Sequence, residues 1–175
     1  MGKVDVKIRK TGASAPSGGY YTAYSKTSKL VALSGDKTLD AKIYSISHSR
    51  TLRECYRWII ANGSRGASRT RVYTSIRKSW MIKEAKLLLI SGNTDCYGMS
   101  SSFYWCAKAK NYDVREVCGT VPRRSGGRAA HSWVEINVDG VWHCYDPDLG
   151  RSYPTRNFYN FTMDAAPTSY TRLYV

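Results

Sequence analysis

The sequence predicts an α+β fold. Three stretches between residues 49 and 111 carry apolar residues at helical spacing. From residue 114 the pattern changes to alternation and includes a hairpin turning at Asp139-Gly140. A length of 175 residues suits one compact unit. Leu, Ile, Val and Phe make up only about a fifth of the chain, low for a globular core. The 14 Tyr and 5 Trp supply the missing apolar area, because each aromatic ring buries roughly 150–250 Å².

Taken in order, residues 3–10 alternate Val4, Val6 and Ile8 with charged residues and read as a half-exposed strand. Gly12 to Gly19 is a Ser/Gly/Ala/Pro loop, and short strand-like pieces follow at 29–33 and 41–47. Residues 1–48 therefore read as a strand-rich extension, and 49–175 as the core. Ser49 is placed to cap a helix carrying Leu52, Cys55, Tyr56, Ile59 and Ile60 and ending at Asn62-Gly63. A second amphipathic helix covers 80–90 and stops at Ser91-Gly92. A third starts at Cys96 and runs to about Asn111, with Met99, Phe103, Cys106 and Ala107 on its inner face. Val114–Val121 reads as a strand, Pro122 to Arg128 as a basic loop, and Ala130–Tyr145 as the hairpin. A polar loop follows Pro147, then terminal strands near 158–162 and 170–175.

Several classes are excluded. The longest aliphatic run, Leu87 to Ile90, is far short of the ~20 apolar residues of a membrane span, and Met1 to Val6 has no apolar leader core. The five cysteines stand at 55, 96, 106, 118 and 144, without a CxxC pair, so no disulfide framework is expected. A metal site on Cys106, Cys118, His143 and Cys144 has irregular spacing, and two of these alternate faces along one strand. The pattern calls for no cofactor and no metal.

One cysteine stands apart. Cys96 occupies the first turn of its helix, after a cap-type Asp95, where the helix dipole and free amides favour a thiolate. A base must come from His48, His131 or His143. Centring the hairpin on Asp139-Gly140 makes partner numbers sum to 279, so 136 faces 143 and 133 faces 146. His131, Trp133 and Glu135 then share a face with Trp142, Cys144 and Asp146. His131 and Asp146 become diagonal neighbours roughly 7–8 Å apart at the backbone, and His143 points away. Cys96 is thus the candidate nucleophile, His131 its base and Asp146 the group that orients the imidazole, the division of labour of acyl-transfer triads.

The stretch Gly92-Asn93-Thr94-Asp95-Cys96-Tyr97-Gly98, then Gly119, Ala130 to Ile136, Asp139-Gly140-Val141-Trp142 and Asp146-Pro147 resembles the transglutaminase-like superfamily. The likeness covers about residues 49–150 and is greatest to bacterial, often surface-exported members. It implies a papain-like core, with the nucleophile helix packed on an antiparallel sheet bearing His131 and Asp146. It also implies thiol-dependent acyl transfer or hydrolysis at a peptide or protein amide, and a secreted or cell-surface location. Hydrolysis is favoured because no lysine-acceptor groove is evident, and protein cross-linking is the alternative. The Cys96 N–H is one candidate oxyanion donor and Trp80 a remote one.

With 27 Lys and Arg against 13 Asp and Glu, the net charge is +14. The clusters Arg65, Arg69, Arg71, Arg77, Lys78 and Arg123, Arg124, Arg128 suit an anionic partner such as a cell-wall polymer. No helix-turn-helix, RNP or zinc-finger pattern points to nucleic acid. An inactive adhesion or anion-binding module is the reading from another class.

Overall fold

The computed structural model describes residues 33–65 and 71–175, with backbone alone at 64 and 65. The strand expected at 3–10, the loop at 12–19 and most of the piece at 29–33 lie outside the described residues. The elements run α1 (Lys37–Ser47), α2 (Leu52–Asn62), β1 (Ser64–Arg65), α3 (Lys78–Ser91), β2 (Asn93–Thr94), α4 (Cys96–Ala109), β3 (Val114–Pro122), β4 (Arg128–Val138), β5 (Val141–Tyr145), α5 (Pro147–Ser152), β6 (Tyr159–Phe161) and β7 (Thr171–Tyr174). β1 and β2 form a short parallel bridge, and the other strands make one antiparallel sheet in the order β6-β5-β4-β3-β7. The fold is α+β, with the Cys96 helix packed on that sheet. None of the described helices is long and apolar enough to cross a membrane.

The strand expected at 41–47 is a helix. Asp36 caps it by accepting from the Leu39 N–H at 2.9 Å. Leu39, Ile43 and Ile46, three and four residues apart, bury one stripe in the main core. Residues 37–47 therefore belong to the helical layer rather than to a strand-rich extension. The cap of α2 is Thr51, not Ser49. The Glu54 N–H donates to Thr51 Oγ1 at 3.2 Å, and the Thr51 N–H donates back to Glu54 Oε2 at 2.6 Å, a reciprocal box that fixes the helix start two residues later.

α3 ends where expected, at Gly92 in the left-handed region (φ +70°), a conformation that strains any residue with a Cβ. The hairpin has the anticipated register: Val134 faces Tyr145, Glu135 faces Cys144 and Ile136 faces His143. Its turn carries φ of +51° at Asp139 and +90° at Gly140, the double positive φ that two-residue hairpins use. The segment after Pro147 contains a short helix where a loop was expected, capped by Asp146 with Pro147 in its first turn.

The sheet is buried on both faces. On one side Val134, Ile136 and Tyr145 pack with residues of α1 to α4. On the other, Val117, Trp133, Cys144, Phe158 and Phe161 form a second cluster beneath Tyr153, Met163 and Tyr170. Six tyrosines and tryptophans are at least nine-tenths buried in these two clusters, which is where the aromatic surplus of the sequence goes.

Candidate active site

α4 begins at Cys96 because Asp95 stops the preceding strand and caps the helix. Its carboxylate accepts from the Tyr97 N–H at 3.0 Å and the Gly98 N–H at 3.3 Å. The Asp95 charge is thereby turned to the helix end, and the Cys96 N–H is left as the first amide of α4. Gly98 allows the close packing behind it: a Cβ there would meet Thr94 Oγ1 at 2.1 Å and the Glu84 carbonyl at 3.1 Å.

The two hairpin residues meet. His131 Nε2 and Asp146 Oδ2 are 2.7 Å apart, and both side chains are buried. With Nε2 engaged, Nδ1 is the nitrogen left for the thiol, and Cys96 and His131 are near enough for each to shift the other's titration. Burial opposes a charged imidazole, but the Asp146 carboxylate and the Cys96 sulfur outweigh it and hold His131 well above its ordinary range. Burial is the largest influence on Cys96 and pushes its thiol up, while His131 pulls it down. Burial thus opposes the thiolate that the helix start favours. The remaining four cysteines are buried, whereas Cys96 is partly exposed. Burial, the first cause, pushes Cys118 and Cys144 up to about 12.

Asp146 is held from several sides. Its Oδ1 accepts from the Leu149 N–H at 2.9 Å, and its Oδ2 also accepts from the Tyr170 hydroxyl at 2.8 Å. The Tyr56 hydroxyl donates to the Asp146 carbonyl at 2.8 Å and to that of Phe158 at 3.0 Å. Gly150 leaves the room for this, since a Cβ there would lie 2.2 Å from the Tyr56 oxygen. Tyr170 carries no sequence signal; it reaches Asp146 from 24 residues away in the chain.

Glu135 joins this face. Its Oε2 accepts from Arg115 Nε at 2.9 Å and Nη2 at 2.6 Å, and its Oε1 accepts from Arg172 at 2.7 Å and from the Trp133 indole at 3.1 Å. Arg115 also lies over the Trp142 ring at 3.9 Å. The conspicuous His-x-Trp-x-Glu and Trp142 positions are thus one ion-paired scaffold alongside the His131–Asp146 pair.

The remaining candidates fall elsewhere. His48 stacks on Tyr44 at the exposed end of α1. His143 pairs with Ile136 on the opposite sheet face. The Trp80 indole donates to the Ser75 carbonyl at 2.8 Å and stacks on Tyr73 at 4.2 Å, so its N–H is already engaged. Among the basic residues, Arg71 pairs with buried Glu84 at 2.7 Å, and Arg128 donates to Thr120 and Ser169.

No family model matches the chain, and no curated protein is similar to it. Solved structures similar in layout include the following three. A candidate cysteine protease from Cytophaga hutchinsonii matches at 16% identity and TM-score 0.49, over 82% of this chain and 48% of that one. A TGase matches at 14% identity and TM-score 0.46, over 83% of this chain and 40% of that one. An arylamine N-acetyltransferase from Bacillus cereus, described with a Cys-His-Glu triad, matches at 14% identity and TM-score 0.45, over 68% and 52%. The chain spans about half the length of these structures or less. The chemistry of the site rests on this chain's own residues.

Proposed function

We propose that this chain carries out thiol-dependent acyl chemistry at a peptide or protein amide, with Cys96 as nucleophile, His131 as base and acid and Asp146 as orienter. The observation that carries the reading is the buried 2.7 Å contact between His131 Nε2 and Asp146 Oδ2, with Cys96 near enough to His131 for the two to influence each other's titration. Asp146 raises the proton affinity of His131, so the imidazole can take the thiol proton as the sulfur attacks the carbonyl carbon. The Cys96 N–H, at the positive end of α4, suits the developing oxyanion. Collapse of the tetrahedral adduct breaks the C–N bond, His131 gives its proton to the leaving amine, and a thioester remains. A second nucleophile then gives a proton to His131 and takes the acyl group, which restores the thiol.

Water as that nucleophile gives hydrolysis. Hydrolysis is the favoured outcome because the sequence supplies no evident lysine-acceptor groove. Both shifts at the pair are upward, so the reactive form, with a single proton shared between thiol and imidazole, is reached at higher pH than for the same two groups in water.

The test uses casein with and without dansylcadaverine, scored for released peptides and for incorporated amine. Peptide release that falls by about 10³-fold or more in Cys96→Ala is expected. Amine incorporation dependent on Cys96 would instead assign cross-linking, and turnover that persists in Cys96→Ala would remove the thiol mechanism.

A further inference from the structure

Beneath the Cys96 helix lies a second polar cluster that the acyl chemistry does not use. Glu116 of β3 is 1% exposed, and Ser100, Ser101 and Ser132 around it are fully buried. Its Oε1 lies 2.6 Å from Ser100 Oγ and 3.0 Å from Ser132 Oγ, and Ser101 Oγ lies 3.0 Å and 2.9 Å from its two oxygens. Ser100 and Ser132 are 2.9 Å apart; Ser132 also reaches the Val117 carbonyl at 3.0 Å, and Ser100 that of Tyr97 at 3.1 Å. Four polar side chains packed without solvent are costly unless every one is satisfied, and apolar residues of similar size would serve packing alone as well.

The location gives the cluster its meaning. Ser100 and Ser101 stand one turn beyond Cys96 on α4. Ser132 follows His131 on β4 and points to the helix side of the sheet, while His131 points to the Asp146 side. The Ser132 link therefore holds the backbone from which His131 projects, and the serines of α4 hold the turn from which Cys96 projects. We propose that Glu116 is a positioning residue: it ties α4 to β4 through Ser100, Ser101 and Ser132 and so sets the approach of Cys96 to His131. This inference rests on the Cys96–His131 reading of the site.

The state of the carboxyl fits the role. Burial pushes Glu116 up to about 8, against the pull of the three serines, with Glu84 of α3 adding to the rise. Tyr104 of α4 and Cys118 of β3 are the other titratable groups that feel it. At neutral pH Glu116 is thus mostly protonated, with both a proton to give and an oxygen to accept. A glutamine amide reproduces that combination; an alanine does not.

The experiment follows iodoacetamide labelling of Cys96 against pH, read by mass spectrometry, in the parent, Glu116→Gln, Glu116→Ala, Ser132→Ala and His131→Ala. Glu116→Gln is expected to label within about threefold of the parent. Glu116→Ala is expected to move the Cys96 profile to higher pH by about one unit, hence about tenfold slower labelling below it, and Ser132→Ala shifts the same way. A folded Glu116→Ala, by circular dichroism, with the parent profile overturns the proposal. If Glu116→Ala does not fold, Ser132→Ala decides: a shifted profile supports the positioning role and an unshifted one overturns it. An unchanged His131→Ala profile removes the Cys96–His131 reading itself, whereas a shifted His131→Ala beside an unshifted Glu116→Ala removes the positioning role alone.

Discussion

Replacing Asp146 with alanine is expected to give the largest combined loss of stability and reactivity of any single change at the site. Its side chain is fully buried and accepts from His131, Tyr170 and the Leu149 N–H. Truncation strands one buried donor, on His131, and two half-buried ones, the Tyr170 hydroxyl and the Leu149 N–H. Each costs about 1–3 kcal/mol if left unsatisfied, so a loss of about 4 kcal/mol is expected in urea unfolding.

The loss depends on pH. In the parent, His131 is held above its unfolded value chiefly by the Asp146 charge working against burial. That contribution is fully present below the unfolded histidine pKa of about 6.5 and fades as pH rises through the raised folded value. Without Asp146 only Cys96 still opposes burial, and the balance moves toward neutral imidazole. The deficit of Asp146→Ala is thus largest below about pH 6.5 and shrinks as pH rises through the raised folded value. Asp146→Asn, which can retain the helix cap, should recover stability more than Cys96 reactivity. A deficit independent of pH would show that the carboxylate does not act on His131.

Gly119→Ala is expected to produce the second largest effect, through the backbone rather than through charge. Gly119 faces His131 across β3 and β4, and the β3–β7 register shifts beside it. A Cβ there would lie 2.0 Å from the Thr171 carbonyl oxygen and 2.8 Å from Trp133 Cη2. Neither can yield cheaply: one is the main chain of β7, and the other is a ring with no exposure.

β7 must therefore move away. Tyr170 and Arg172, on either side of Thr171, would leave Asp146 and Glu135. A cost of about 3 kcal/mol is expected, at the upper end of what overpacking does, seen as a lower Tm, together with a shifted pH profile for Cys96 labelling. An unchanged Tm would mean that β7 does not press on Gly119.

What the sequence revealed and what it hid divides along range. The hairpin is readable because Asp139-Gly140 fixes its own register, and that register alone places His131 and Asp146 on one face. Cys96 is readable because a helix start is a local event, set by Asp95 and Gly92. Residues 41–47 mislead because Ile43, Ser45 and Ser47 alternate over a short window. The helix appears only when Leu39 and Asp36 are included, and its stripe has value only against a core contributed by later elements. The helix start favours a thiolate at Cys96, and the burial that opposes it belongs to the assembled site, not to the local sequence.

The supports of the site are hidden for the same reason. Glu116 looks like an ordinary charged strand residue until Ser100, 16 positions earlier, and Ser132, 16 positions later, close around it. Tyr170 gains a role only when β7 lies on β3. Trp80, a remote oxyanion candidate by sequence, turns out to be committed to Ser75, five residues before it.

The most direct test of the central claim compares iodoacetamide labelling of each cysteine, across about pH 6 to 10, in the parent and in His131→Ala. Cys96 should label ahead of buried Cys55, Cys106, Cys118 and Cys144. Loss of His131 removes the favourable interaction that offsets burial at the sulfur. The Cys96 profile should then move to higher pH by a unit or more, which slows labelling at neutral pH by about tenfold or more. A Cys96 profile identical in the two proteins would contradict the pairing of Cys96 with His131.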